Sequence, residues 1–359
     1  MADESLLQKV HDLSDLELAI LLSLIAREHC LISTPQDGLD DLIDELRLVA
    51  TKSFGLSCVV VNCDPFTTVD SFASSLLLAD RQTPSGSLTA RYNIVSESYF
   101  SNRARNYHPP SGGDQSVRIA NIVLAKNLDR APHAVQIQAL ELLRTRRIFT
   151  HTDVHVAPKR FLFVPVLGAE SGGQARVTRH LNDSFLLAHW HNPEDGYVNL
   201  EDEEDGSFDD DTASTESVVK SGTPGLVTEA LISENDVKQL AKLSQQVEAD
   251  VEVTRYQMNM VSFLRMHRAV ADGISPAGTK HLDLLARCLA PLHNVDFVTP
   301  ALVGLAARKV YLHRIRITPP EKERSMQWGS KLEAVEAVLE GVGPEEVIED
   351  VLAMVTAPL

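Results

Sequence analysis

Two stretches of this chain end predicted strands at places where a nucleotide-hydrolysing site would keep its reactive groups. The first, Ser33-Thr34-Pro35-Gln36-Asp37-Gly38-Leu39-Asp40, follows the apolar run His29–Ser33 and opens a predicted helix. A phosphate-binding loop at such a turn needs G-x-x-x-x-G-K-[ST], because glycine amides approach the phosphates, lysine neutralises them and a hydroxyl ligates the metal. Only Gly38 fits. Ser33 stands at the first glycine, Leu39 at the lysine and Asp40 at the hydroxyl residue. The second stretch closes the strand that begins at Asn121 with Lys126-Asn127. Paired carboxylates ending such a strand would orient the water shell of Mg²⁺ and polarise the attacking water; lysine does neither. A carboxylate about 4 Å from a phosphate charge costs on the order of 4 kcal/mol at an effective dielectric near 20, roughly a thousandfold in affinity. Asp37, Asp40 and Asp41 suit a helix start instead, where acids cap free amides and complement the dipole. The sequence therefore predicts a phosphate position that caps itself.

Other chemistry is weakly supported. His189-Trp190-His191 has the spacing of a metal pair on one strand face, but no third ligand accompanies it, so no metal is expected. Cys30, Cys58, Cys63 and Cys288 have neither a zinc spacing nor a disulfide framework, and Cys58 and Cys63 read as buried thiols flanking one strand. Tyr92, Tyr99, Phe100 and Tyr107 are mixed with arginines in a manner known from single-strand binders. Against nucleic acid stands a formal charge of −17, with no cluster of lysine and arginine to displace counterions. The most apolar run, Leu16–Ala26, is too short to cross a bilayer, and the start shows no leader pattern. A soluble, intracellular, cytoplasmic protein is expected.

The elements that must position these residues alternate. Helical spacing runs from Asp15 to Glu28, Leu39 to Lys52, Val69 to Leu78 and Pro132 to Arg144. Apolar strands are predicted at 29–33, 57–63, from 121, 161–167 and 185–190, and 148–156 alternates as a hairpin strand. Such alternation predicts an α/β sandwich with a parallel sheet. Residues 81–118 read as an irregular excursion. Between Glu194 and Glu216 lie eleven acids and no lysine or arginine, a composition that suits a solvated linker better than a docking tether. Helical patterns then recur at 234–248, 254–270, 278–293, 300–311, 331–339 and 344–354, predicting a separate all-α domain. The expected organisation is a core over 1–192, a linker over 193–226 and a helical domain over 227–359.

The order of Asn121 to Val164, with Ala125-Lys126-Asn127-Leu128-Asp129-Arg130-Ala131-Pro132 at its head, resembles the Walker B segment of the MoxR and magnesium-chelatase branch of AAA+ ATPases. Gly273-Ile274-Ser275-Pro276, Asp296 to Pro300 and His313-Arg314-Ile315 follow that family's lid in order, so the resemblance spans nearly the whole chain. It implies an AAA+ αβα sandwich with a five-stranded parallel sheet and a small helical lid, with 81–118 as a pore-facing insert. It also places the sensor asparagine at Gly168, the arginine finger at Ser184 and the second sensor arginine at Ala277. Arg176 and Arg179 are the arginines near enough to the lost finger to act on a neighbouring subunit, and Arg130 is the family's structural arginine. With these positions degenerate, no catalytic residue is expected, nor ATP and Mg²⁺ as cofactors. The implied role is a regulatory or structural subunit, with an active AAA+ paralogue or a von Willebrand A-domain protein as partner, in a ring. The alternative is a true chelatase-type or MoxR ATPase subunit completed in trans. Because the positions of Asp40 and Lys126 converge on one Mg²⁺ in active relatives, a lysine–aspartate bridge is expected in the metal's place.

Overall fold

A computed structural model describes residues 4–78, 118–150, 153–201 and 230–358. The chain opens with α1 (Glu4–His11) and α2 (Asp15–Ala26). Ser14 caps α2 in a reciprocal box: its hydroxyl accepts from the Glu17 amide at 3.3 Å, and the Glu17 carboxylate accepts from the Ser14 amide at 2.9 Å. β1 (His29–Thr34) leads to α3 (Leu39–Leu48), β2 (Cys58–Asn62), α4 (Val69–Ser75) and the short β3 (Leu77–Leu78). β4 (Arg118–Ile119) pairs antiparallel with β3, so the predicted helix 69–78 stops early and turns into an edge ribbon. Residues 79–117, most of the expected insert and all of its aromatics, lie outside the described residues.

β5 (Ile122–Lys126), α5 (His133–Thr145), β6 (Arg147–Phe149), β7 (Val154–Val156), β8 (Leu162–Gly168), α6 (Arg179–Asn182) and β9 (Phe185–Trp190) complete the core. The stretch read as one hairpin strand is the antiparallel pair β6 and β7. The central sheet has five parallel strands in the order β2-β5-β8-β1-β9. Its strands alternate between two cores. Cys30, Ile32, Ile122, Leu124, Val164 and Val166 face the side covered by α2 and α3; Leu31, Val123, Ala125, Phe163 and Leu167 face α4 and α5. Both faces being covered explains why the strands read as continuous apolar runs.

Among the described residues from 230 onward, six α-helices follow: α7 (Glu234–Gln246), α8 (Val251–Met266), α9 (Pro276–Leu292), α10 (Pro300–Tyr311), α11 (Leu332–Leu339) and α12 (Pro344–Met354). Ser233, Asp250, Ser275 and Thr299 cap the first four through side-chain oxygens, and Pro276 and Pro300 occupy first-turn positions that need no amide donor. These helices share one apolar core with α2 and the adjacent sheet face. The fold is an α/β sandwich with a helical lid docked along its flank. No helix among the described residues is long and apolar enough to cross a membrane.

Candidate functional site

Strand register brings the predicted positions together at one sheet edge. Thr34 pairs with Gly168, and Lys126 pairs with Val166, so the C-terminal ends of β1, β5 and β8 converge beside the start of α3. Lys126 Nζ donates to Asp40 Oδ1, which makes the bridge expected from the two charges. The lysine side chain is 19% exposed and the aspartate 82%. Water therefore screens the pair, and it is worth at most about 1 kcal/mol. Lys126→Met is accordingly expected to change the unfolding free energy by less than about 1 kcal/mol. A loss beyond twice that in urea titrations would show a bridge shielded from solvent.

The expectation of self-capping fails. The start of α3 is preceded by a tight turn over Gln36–Gly38, its cap residue is Gly38, and neither makes a side-chain capping bond. Asp37, Asp40 and Asp41 are all exposed. The turn shifts the helix start past Asp37, and Asp40 is turned toward Lys126. The acids complement the helix dipole only through space.

Three further contacts fill the position. Gln36 Oε1 accepts from Arg130 Nη2 at 2.6 Å. The same Gln36 side chain lies against Gly168, where an added Cβ would collide with it. A side chain at 168 would displace the Gln36 carboxamide, the far end of an exposed side chain, and with it the bond to Arg130. The third contact comes from the start of the acidic stretch, which is packed here and not solvated as a linker would be. A Cβ on Gly38 would lie 2.9 Å from Pro193 Cγ and 3.1 Å from Tyr197 Oη, and Tyr197 donates to the Gly38 carbonyl at 3.2 Å. Buried Glu45 holds that segment down, accepting from the Asn199 amide, the Asn199 side chain and the Leu200 amide at 3.2, 2.8 and 3.0 Å. The remainder of the acidic stretch, residues 202–216, lies outside the described residues.

Leu39, at the lysine position, is 1% exposed and belongs to the core. Ser33 is buried as well. Asn127 adopts a left-handed conformation, φ 54° and ψ 39°, and its amide donates to the Val166 carbonyl at 2.9 Å. Asparagine tolerates that region better than most residues, so its presence has a backbone reason.

The remaining predicted positions do not join this site. Asp183 accepts from Ser275 Oγ at 2.5 Å, which anchors the neighbouring Ala277 beside the start of β9. Phe185 there pairs with His29, the opposite end of β1 from Thr34; five residues of strand put this roughly 16 Å away. Ser184 sits at the same far edge, donating to the Leu181 carbonyl at 2.5 Å. Arg176 is not a free finger: it donates to the carbonyls of Gly173 and Ile315 and so ties the core to the lid. Its burial, with neighbouring Arg316, lowers its pKa. Arg179 is exposed and reaches Asp272 of the lid at 3.4 Å. Of the histidine pair, His189 Nδ1 lies 2.9 Å from Lys309 Nζ, a cation where a metal ligand set would place its ion. Cys63 is buried, whereas Cys58 is only half-buried.

A family model described as the AAA lid domain matches residues 262–335. The chain is 25% identical over 243 residues to the uncharacterized protein YeaC of Bacillus subtilis (strain 168), a match covering 67% of each chain. The crystal structure of a protein provisionally designated an ATPase, from Cytophaga hutchinsonii, superposes with a TM-score of 0.63 at 15% identity, covering 99% of this chain and 96% of that one. Sheet, lid and comparisons together define an AAA+ fold with a helical lid domain.

Proposed function

We propose that this chain is a catalytically silent AAA+ module of the MoxR and magnesium-chelatase type, acting as a structural or regulatory subunit through protein binding. The observation that carries this reading is the filling of the phosphate position by the chain's own groups. Lys126 is bonded to Asp40, Gln36 to Arg130, and Tyr197 covers Gly38. A triphosphate entering there would meet three exposed aspartates and find neither the loop lysine nor a metal-holding hydroxyl. An intact lid joined to the core by Arg176 and Arg314 supports a role in which shape, not turnover, is the output. Its partners, in this reading, are an active AAA+ paralogue or a von Willebrand A-domain protein, met in a ring and without nucleic acid, ATP or Mg²⁺ of its own.

Calorimetry with ATP and Mg²⁺ is the direct test, paired with a phosphate-release assay and with affinity purification of the native protein. No binding in the micromolar range and no turnover are expected, together with recovery of an AAA+ or von Willebrand A partner. A micromolar dissociation constant for ATP would overturn the reading in favour of an ATPase subunit completed in trans.

A further inference from the structure

At the sheet edge opposite the filled phosphate position lies a cavity of about 350 Å³. It is bounded by the C-terminal ends of α2 and α5, the connection into β8, and the first turns of α7. Its placement follows from register: Phe161 precedes Leu162, which pairs with Ile122 at the start of β5, while Lys126 closes the other end of that strand. The floor is apolar, made by Leu24, Phe161, Val237 and Ala241, all buried. The rim is cationic: Arg27, Arg146, Lys159, Arg160 and Lys238 face one lining carboxylate, Glu234.

That imbalance stands out in a chain with a formal charge of −17. Glu234 is already shared between Arg160 at 2.7 Å and Lys238 at 2.9 Å. Glu28 lies within electrostatic reach of Arg146 but does not line the cavity. Among the described residues Arg27, Arg146 and Lys159 make no ion pair. Part of this charge has an internal reason: Arg27 and Arg146 are the left-handed caps of α2 and α5, where cations complement helix dipoles, and Arg146 donates to the Arg27 carbonyl at 3.3 Å. That reason does not extend to Lys159 or Lys238, which belong to no helix C-terminus. Arg146 also holds its guanidinium 6.0 Å from the centre of the Phe161 ring, so a cationic plane and an aromatic one are presented together.

We propose that this cavity binds a small organic anion, with a carboxylate or phosphate head against the arginine and lysine rim and a planar apolar body over Phe161. The volume suits a compact ligand, and a few charged groups around an apolar floor are the usual make-up of such sites. A ligand there would touch α2 and α5 of the core and α7 of the lid, and its head would compete with Glu234 for Arg160. The site is independent of the nucleotide position and stands whether or not the chain is silent.

The test uses the full chain and two probes of similar shape. One is 8-anilinonaphthalene-1-sulfonate, an aromatic anion; the other is N-phenyl-1-naphthylamine, its uncharged counterpart. Fluorescence titration is expected to show saturable binding of the anion at least tenfold tighter than of the neutral probe. The double variant Lys159→Glu/Lys238→Glu, at two exposed positions, is expected to erase that preference and leave the neutral probe within twofold. Displacement by phenyl phosphate or by benzoate supports the site and distinguishes the two heads. Equal affinity for both probes on the unmodified chain overturns the proposal, as does a double variant with unchanged preference. Displacement by a peptide of residues 201–216 but by neither small anion also overturns it, giving the cavity to the chain's own acidic stretch.

Discussion

Between pH 7 and pH 5 the chain is expected to lose several kcal/mol of stability, because four imidazoles, three buried and one half-buried, stay neutral in the native state. Burial first, then Arg146, pulls His29 down to about 3. Burial, Lys309 and His191 bring His189 to about 3. Burial and Arg314 bring His281 to about 4, and burial with Arg314 holds His313 well below its usual value. In the unfolded chain each titrates near 6.5. Below that pH the unfolded state takes up protons that the native state refuses, so stability falls as pH drops from about 6.5 toward the folded values and is level above. At pH 5 the three histidines with folded values near 3 to 4 each contribute a loss of about 2 kcal/mol, about 6 kcal/mol together, and His313 adds in the same direction. Raised carboxyls at Glu28 and Asp129 work the other way. Stabilities of this class run from about 5 to 15 kcal/mol, so the effect is decisive. Urea midpoints measured at pH 8, 7, 6 and 5 should be flat at first and then fall steeply. Equal midpoints at pH 7.5 and 5 would show that these imidazoles protonate without cost in the folded chain.

The second large effect belongs to Arg314, whose side chain is 4% exposed. Its guanidinium donates to the Asp183 carboxylate and carbonyl, each at 3.3 Å, and to the carbonyls of Phe185, Leu186 and Val310. It also lies 2.6 Å from His281 Nδ1. These partners belong to the start of β9, to α9 and to α10, so one side chain joins core and lid. Arg314→Met leaves the carbonyls of Phe185, Leu186 and Val310 without this donor and the Asp183 carboxylate, a third exposed and still held by Ser275, without its cation, at a cost of about 3 kcal/mol. For a chain of this size that lowers Tm by roughly 4 °C. Arg314→Lys keeps the charge but loses the fork and should fall in between. His281 should also protonate more readily in Arg314→Met, since a cation beside it is gone. A methionine variant within 1 kcal/mol of the parent would mean that the junction is held by its apolar contacts alone.

Much of the architecture was legible because it rests on periodicity. Apolar runs closed by turn residues marked all five sheet strands, and helical spacing marked the lid helices within a few residues. The Lys126–Asp40 bridge was legible because two opposite charges stood at positions that converge in relatives. The rest of the site lay beyond local reading. Gln36 meets Arg130 across 94 residues, and Tyr197 reaches Gly38 across 159; neither residue type carries a motif. Self-capping by the aspartates was a local inference undone by the way the turn over Gln36–Gly38 ends, with Gly38 as the cap residue and no acid within reach of a free amide. Arg176, expected as an arginine able to act on a neighbouring subunit, is half-buried against a lid carbonyl that lies 139 residues away in sequence.

Gln36 couples two positions of this corner, because its carboxamide lies where a Cβ at 168 would go and also holds Arg130. A side chain at 168 is accommodated by turning that exposed glutamine away, and the turn releases Arg130. Relatives that keep the glutamine–arginine bond are therefore expected to keep glycine at 168.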